Sequence, residues 1–141
     1  MQLSFNLNGL NQTIKLGEIV GKNAIVQTVI LMHGDLGAGK TTFTKGIAKG
    51  LNIAGVVNSP TFNILKCYFD GNMPLYHIDA YRLEGMQQDL GLEEYIEGDG
   101  VCVLEWPEFI DYIIGDEYIK IDIKFIDEDN RFVTMTSNCD K

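Results

Sequence analysis

Gly34-Asp35-Leu36-Gly37-Ala38-Gly39-Lys40-Thr41 restricts the fold of this chain more than any other eight residues. The segment fits G-x-x-x-x-G-K-[ST], a pattern that carries meaning only between a strand and a helix. Both neighbours meet that condition. Thr28-Val29-Ile30-Leu31-Met32-His33 is a mostly apolar run and reads as a short buried strand. Behind the loop, Phe43, Ile47 and Leu51 recur at i, i+4 and i+8, so residues 40–51 read as a helix with one apolar stripe. Glycines let backbone N–H groups turn inward around an anion, and the helix adds its positive end. Lys40 supplies a mobile cation for β- and γ-phosphates and is expected at a solvated site. The Thr41 hydroxyl is placed to ligate Mg²⁺. Thr42 reads as an early helical residue within reach of an α-phosphate.

The rest of the chain is consistent with one α/β unit over residues 1–141. With 141 residues, 45% apolar and 22% charged, it can bury one core without staples and has ordinary globular composition. Residues 12–22 read as a helix capped by Asn11. Residues 62–69 and 74–81 read as paired strands joined by Asp70-Gly71-Asn72-Met73. Residues 86–97 read as helical. Val101-Cys102-Val103-Leu104 reads as a second buried strand. In 118–126, Ile119, Ile121, Ile123 and Phe125 alternate with polar residues, giving a half-buried strand that turns at 127–130 into 131–136. The expected fold is a P-loop NTPase-like three-layer domain with a mixed central sheet and antiparallel hairpins. No apolar run is long enough for a membrane helix, and residues 1–6 do not read as a leader. Cys67, Cys102 and Cys139 form no disulfide or metal framework, so the expected compartment is the cytoplasm.

A phosphate loop needs acids at strand ends to complete a Mg²⁺ shell. Val101-Cys102-Val103-Leu104-Glu105 is four apolar residues ending in an acid, and Leu75-Tyr76-His77-Ile78-Asp79 ends the same way with His77 inside it. His77 reads as a core or hydrogen-bonded strand residue and not as a catalytic one, His33 as structural, and Trp106, the one tryptophan, as a packing residue. No N-K-x-D run is present, which favours ATP over GTP. Only two arginines, Arg82 and Arg131, weaken the alternative of a small-molecule kinase, whose acceptor clamp favours guanidinium forks. The net charge is −9, and eleven acids lie between Arg82 and Lys120 without one Lys or Arg. Such a chain is a poor binder of nucleic acid on its own. The stretch reads either as a solvated face or as a docking face for a basic protein.

Taken together, the glycine loop with Thr42, Ser59-Pro60-Thr61-Phe62, His77-Ile78-Asp79-Ala80-Tyr81-Arg82-Leu83 and Leu104-Glu105-Trp106-Pro107-Glu108 resemble, in order and spacing, the TsaE family. These are bacterial ATPases of N6-threonylcarbamoyladenosine synthesis on tRNA. The resemblance spans about residues 10–136. It implies phosphate contacts from Leu36, Gly37, Ala38, Gly39, Lys40 and Thr41, and a Mg²⁺ site at Thr41 and Glu105. It places Asp79 near the γ-phosphate, either orienting water or organising the metal shell. It makes residues 59–62 and 104–106 switches, and puts Arg131, Asn8 and Leu10 near the adenine. It further implies slow ATP hydrolysis by the isolated chain, protein partners resembling TsaD and TsaB, and tRNA met only through that complex.

Overall fold

The computed structural model describes residues 2–34, 38–54, 57, 64–83 and 91–137. Seven strands make one sheet: β1 (Gln2–Asn8), β2 (Val29–His33), β3 (Leu65–Tyr68), β4 (Leu75–Asp79), β5 (Val101–Glu105), β6 (Ile119–Phe125) and β7 (Asn130–Ser137). Their order across the sheet is β1-β7-β6-β2-β5-β4-β3. The central neighbours β6/β2, β2/β5 and β5/β4 are parallel. The flanking pairs β1/β7, β7/β6 and β3/β4 are antiparallel. The expected mixed sheet with antiparallel hairpins is therefore present.

Alternation divides the core in two. Ile30, Met32, Val101, Val103, Ile121 and Ile123 face one side, where Leu16, Val20, Phe43, Ile47 and Leu51 cover them. Val29, Leu31, Cys102 and Leu104 face the other, beneath Leu83, Leu92, Ile96 and Ile110. The first layer is built from α1 (Leu10–Asn23) and α2 (Lys40–Gly50). The second contains the short α3 (Glu93–Ile96) and 3-10 turns at Tyr81–Leu83, Pro107–Phe109 and Asp111–Ile113.

The two long helices meet through glycine. Gly17 and Gly21 on α1 oppose Gly46 and Gly50 on α2, and each pair is four residues apart, hence on one helix face. A Cβ at Gly17 would strike the Phe43 carbonyl, and at Gly21 that of Ile47. At Gly46 it would strike the Ile14 carbonyl, and at Gly50 that of Glu18. The backbones lie too close for any side chain between them. This seam anchors α2, and with it Lys40, against the sheet.

Several element boundaries differ from expectation. Strand β1 was not anticipated, although Leu3, Phe5 and Leu7 alternate with polar residues; pairing with β7 gives that alternation a sheet to join. Helix α1 starts at Leu10 behind Gly9, whose φ of 85° breaks the strand direction, so Asn11 lies inside the helix and does not cap it. The hairpin strands shorten to β3 and β4. Of residues 91–97, only Glu93–Ile96 are helical, and 86–90 lie outside the described residues. No helix among the described residues is long and apolar enough to cross a membrane.

Candidate functional site

Parallel strands point their carboxyl ends the same way, so β2, β4 and β5 deliver His33, Asp79 and Glu105 to one edge of the sheet. Register aligns Met32 with Glu105 and Glu105 with Asp79. His77 and Asp79 are two apart on β4 and share a face, as Val103 and Glu105 do on β5. That is the face α2 covers. Helix α2 begins at this edge with Lys40, behind Gly39 at φ 112°. Among the described residues no side chain caps its N-terminus, and no acid occupies its first turn. Its leading N–H groups are thus available to an anion.

Lys40 is not solvated as expected: it is only 7% exposed. Its ammonium lies 4.0 Å from Glu105 Oε1 and 4.5 Å from the centroid of the Trp106 ring. The first distance is longer than a hydrogen bond. Glu105 is itself 4% exposed, and its other oxygen, Oε2, is 2.6 Å from His77 Nε2. A carboxylate only accepts, so the imidazole donates through Nε2–H. His77 Nδ1 is then buried without a partner among the described residues. Leaving such a group unpaired costs about 1–3 kcal/mol.

Asp79 differs from Glu105. It is half-buried, and its Oδ1 accepts the Tyr81 N–H at 3.1 Å. Burial pushes its carboxyl above the usual range, and the charge of Glu105 adds to this. The Tyr81 hydrogen bond, His77 and Lys40 pull the other way. Trp106 follows Glu105 with φ 57° and ψ 52°, a left-handed conformation rare for a bulky side chain. It stacks on Phe109, with ring centroids 5.9 Å apart, and packs at 5.1 Å from Tyr81. Beside it opens a cleft of about 270 Å³ lined by His33, Gly34, Lys40, Trp106, Glu108 and Lys124, among others. His33 Nδ1 is 3.6 Å from Glu108 Oε2. Burial, ahead of nearby charges, holds this imidazole below its ordinary value.

The structure thus brings Lys40, Glu105 and Asp79 together, with Thr41 and Thr42 in the first turn of α2. Arg131 reaches the loop from the other side. Its Nε donates to the Ala38 carbonyl at 2.9 Å, and its Nη1 donates to the carbonyls of Asp127 and Asn130. Its guanidinium lies 4.6 Å from the Phe125 ring centroid. Asn8 pairs in register with Asn130, and Gly9 N–H donates to the Asp129 carbonyl. Arg131 therefore joins β7 to the loop at Ala38, Asn8 pairs with Asn130 next to Arg131 in the chain, and Leu10 is exposed. Leu36, Gly37 and residues 59–62 lie outside the described residues. His77 is buried and hydrogen-bonded, as its place inside a strand predicts; that its partner is Glu105, on the neighbouring strand, is not read, although its place two residues before Asp79 on the same strand face is a signal. The partnership of Trp106 with Lys40 left no mark in the sequence.

The donor set fits Mg-nucleotide. Among the described residues no group of three His, Cys, Asp or Glu could hold a metal. Mg²⁺ does not need one, because one or two protein oxygens with phosphates and water complete its shell. Glu105 and Thr41 can supply those oxygens, and a buried ammonium beside an uncapped helix end suits the phosphates.

Known proteins resemble the chain in sequence and in fold. The family model described as Threonylcarbamoyl adenosine biosynthesis protein TsaE matches residues 7–133. The tRNA threonylcarbamoyladenosine biosynthesis protein TsaE of Bacillus subtilis is 46% identical over 136 residues, 96% of this chain and 86% of that protein. Its Nostoc counterpart is 41% identical, with 90% and 82% covered. The crystal structure of Bacillus subtilis YdiB superposes with a TM-score of 0.84 at 39% identity, covering 97% of this chain and 86% of that one. Matched over nearly its whole length in sequence and in fold, the chain belongs to the TsaE family, whose proteins serve tRNA threonylcarbamoyladenosine biosynthesis.

Proposed function

We propose that this protein binds Mg-ATP at the phosphate loop and hydrolyses it, slowly when alone. By doing so it drives a partner complex, with members resembling TsaD and TsaB, that transfers threonylcarbamoyl to adenosine 37 of tRNA. The observation that carries this reading is the convergence of Lys40, Glu105 and Asp79 where α2 starts and β4 and β5 end. Phosphoryl transfer is mostly positioning and electrostatics, so such a cluster supplies much of what the reaction needs.

Lys40 leaves its long contact with Glu105 and the Trp106 face to meet the terminal phosphates, assisted by the N–H groups of Gly39, Lys40 and Thr41. Gly37, Ala38 and the Leu36 backbone complete the phosphate cradle, Thr42 reaches the α-phosphate, and Arg131 braces the loop through Ala38. Thr41 and Glu105 hold Mg²⁺, which when bound neutralises charge on the phosphates. Asp79 orients the attacking water, and burial raises its affinity for a proton. The chemistry on tRNA belongs to the partners, and the acidic stretch keeps this chain from binding tRNA directly. The protein is expected to act in the cytoplasm.

The decisive test is co-purification from its own cells with and without ATP, followed by hydrolysis assays on the isolated chain and on the recovered complex. Recovery of two partner proteins and faster turnover in their presence is the expected result. Transfer of phosphate to a small-molecule acceptor, with no partner effect, would replace this reading by that of a kinase.

A further inference from the structure

His77 has no place in the reaction as described, yet its ring is fully buried against the site. Its Nε2–H spends a 2.6 Å hydrogen bond on Glu105 Oε2, and its Nδ1 has no partner among the described residues. An apolar side chain would fill this strand position without leaving a polar atom unpaired. The histidine is therefore poorly explained as packing alone.

The geometry around Glu105 supplies the explanation. Its two oxygens face two cations or donors: Oε2 faces His77, and Oε1 faces the Lys40 ammonium at 4.0 Å. Charge-assisted N–H···O bonds settle near ~2.7–2.9 Å, so the Lys40–Glu105 pair is held open by more than an ångström. A carboxylate released from His77 could rotate towards the ammonium and close that gap. The lysine would then be withdrawn from the phosphates, and the acid from the metal.

We propose that His77 is a positioning residue. By anchoring Oε2 it fixes the Glu105 carboxylate so that Oε1 remains directed at the metal side of the site and Lys40 remains free to turn to the phosphates. Groups placed like this behind a ligating carboxylate set metal affinity through orientation. The inference rests on the reading of Glu105 as the metal-side acid, and the experiment separates the two.

ADP binding is measured by calorimetry at a series of Mg²⁺ concentrations for the parental protein, His77→Met and His77→Gln. Each is repeated in a Glu105→Ala background, with thermal unfolding of every variant recorded. Methionine is a flexible filler without a donor, whereas the glutamine amide can donate from nearly the place of Nε2–H. The Mg²⁺ concentration for half-maximal binding should rise roughly tenfold in His77→Met. It should return most of the way in His77→Gln, and His77→Met should add no further change once Glu105 is alanine. A His77→Met protein with the parental Mg²⁺ dependence overturns the proposal. So does an equal shift in His77→Gln, or a shift that persists without Glu105. A parental protein that fails to bind Mg-ADP overturns the reading of the site itself. If His77→Met does not fold, His77→Leu, which also lacks a donor, takes its place in the comparison with His77→Gln and with Glu105→Ala.

Discussion

The α1–α2 seam and the cleft at the carboxyl ends of β2, β4 and β5 lie at either end of one helix, yet they are built on opposite terms. At the seam, Gly17, Gly21, Gly46 and Gly50 bring two backbones together with no room for a side chain between them. At the cleft, a cation, a carboxylate and an imidazole are all buried, one imidazole nitrogen has no partner among the described residues, and a tryptophan sits in a left-handed conformation. Strain and unsatisfied polar groups gather where ligands are handled, and the surrounding structure has to over-determine them. The seam is that structure. It should therefore govern folding and be indifferent to nucleotide chemistry, while the cleft should do the reverse.

The largest break in that comparison is expected at the seam. Gly46→Val drives a branched side chain into the Ile14 carbonyl, which belongs to a helix and cannot yield as a side chain would. Overpacking of this kind costs about 3 kcal/mol, a large share of a domain's stability. Urea unfolding should show a lower midpoint at unchanged slope. Gly115→Ala is the control, since nothing lies within 4 Å of a Cβ there, and it should leave the midpoint in place. Equal midpoints for the two variants would remove the seam from its assigned role.

Lys40→Ala tests the other end of the same helix. Hydrogen bonds to charged groups contribute about 1.5–3 kcal/mol, so ATP affinity should fall by more than about tenfold while the protein stays folded. Calorimetry on a folded variant checks this, and parental affinity would sink the phosphate-loop assignment.

Much of this contrast could be read in the sequence, and its limits have physical causes. The loop is legible because strand, glycines, lysine and helix are contiguous, so local spacing carries the chemistry. Glu105 and Asp79 are legible as acids ending apolar strands. The glycine seam is not: Gly17/Gly21 and Gly46/Gly50 show helical spacing, but nothing local says that the two stripes face each other. The same holds for His77 with Glu105 and for Trp106 with Lys40, contacts made across strands and between elements. The alternation of strand β1 goes unread because its partner β7 lies at the far end of the chain. Arg131 reaches Ala38 only because β7 returns beside β6.

Asp79→Asn sharpens the comparison by separating stability from activity within the cleft. Removing the charge that orients water should cut hydrolysis on the order of 10²-fold, with ATP binding largely retained. Stability should move the opposite way. Because burial raises the Asp79 pKa, the folded protein holds this proton more tightly than the unfolded chain. Its contribution is fully present below the ordinary value of 3.8, and is lost as pH rises through the raised folded value. At neutral pH the charged carboxylate is a liability in the ligand-free fold. Asparagine removes that liability and keeps an oxygen for the Tyr81 N–H, so the variant should melt slightly higher near neutral pH. A variant that melts lower at neutral pH while hydrolysing ATP at the parental rate would contradict both halves.

The smallest effect is expected on the outer surface of the second layer. Glu94 and Asp111 are exposed there, next to the elements that bury Ile96 and Ile110 and away from the residues assigned to nucleotide. If this acidic face meets a basic partner, Glu94→Lys and Asp111→Lys should each weaken assembly several-fold, since exposed charge pairs are worth roughly 0.2–1 kcal/mol. The loss should shrink as salt is raised, because screening removes the attraction that the parental acids supply. ATP affinity should not change, which distinguishes a docking face from a part of the cleft. Assembly with the recovered partners, measured at two salt concentrations, decides between the readings. Salt-independent binding in the parental protein, unaltered by either reversal, would return this stretch to the role of a solvated face.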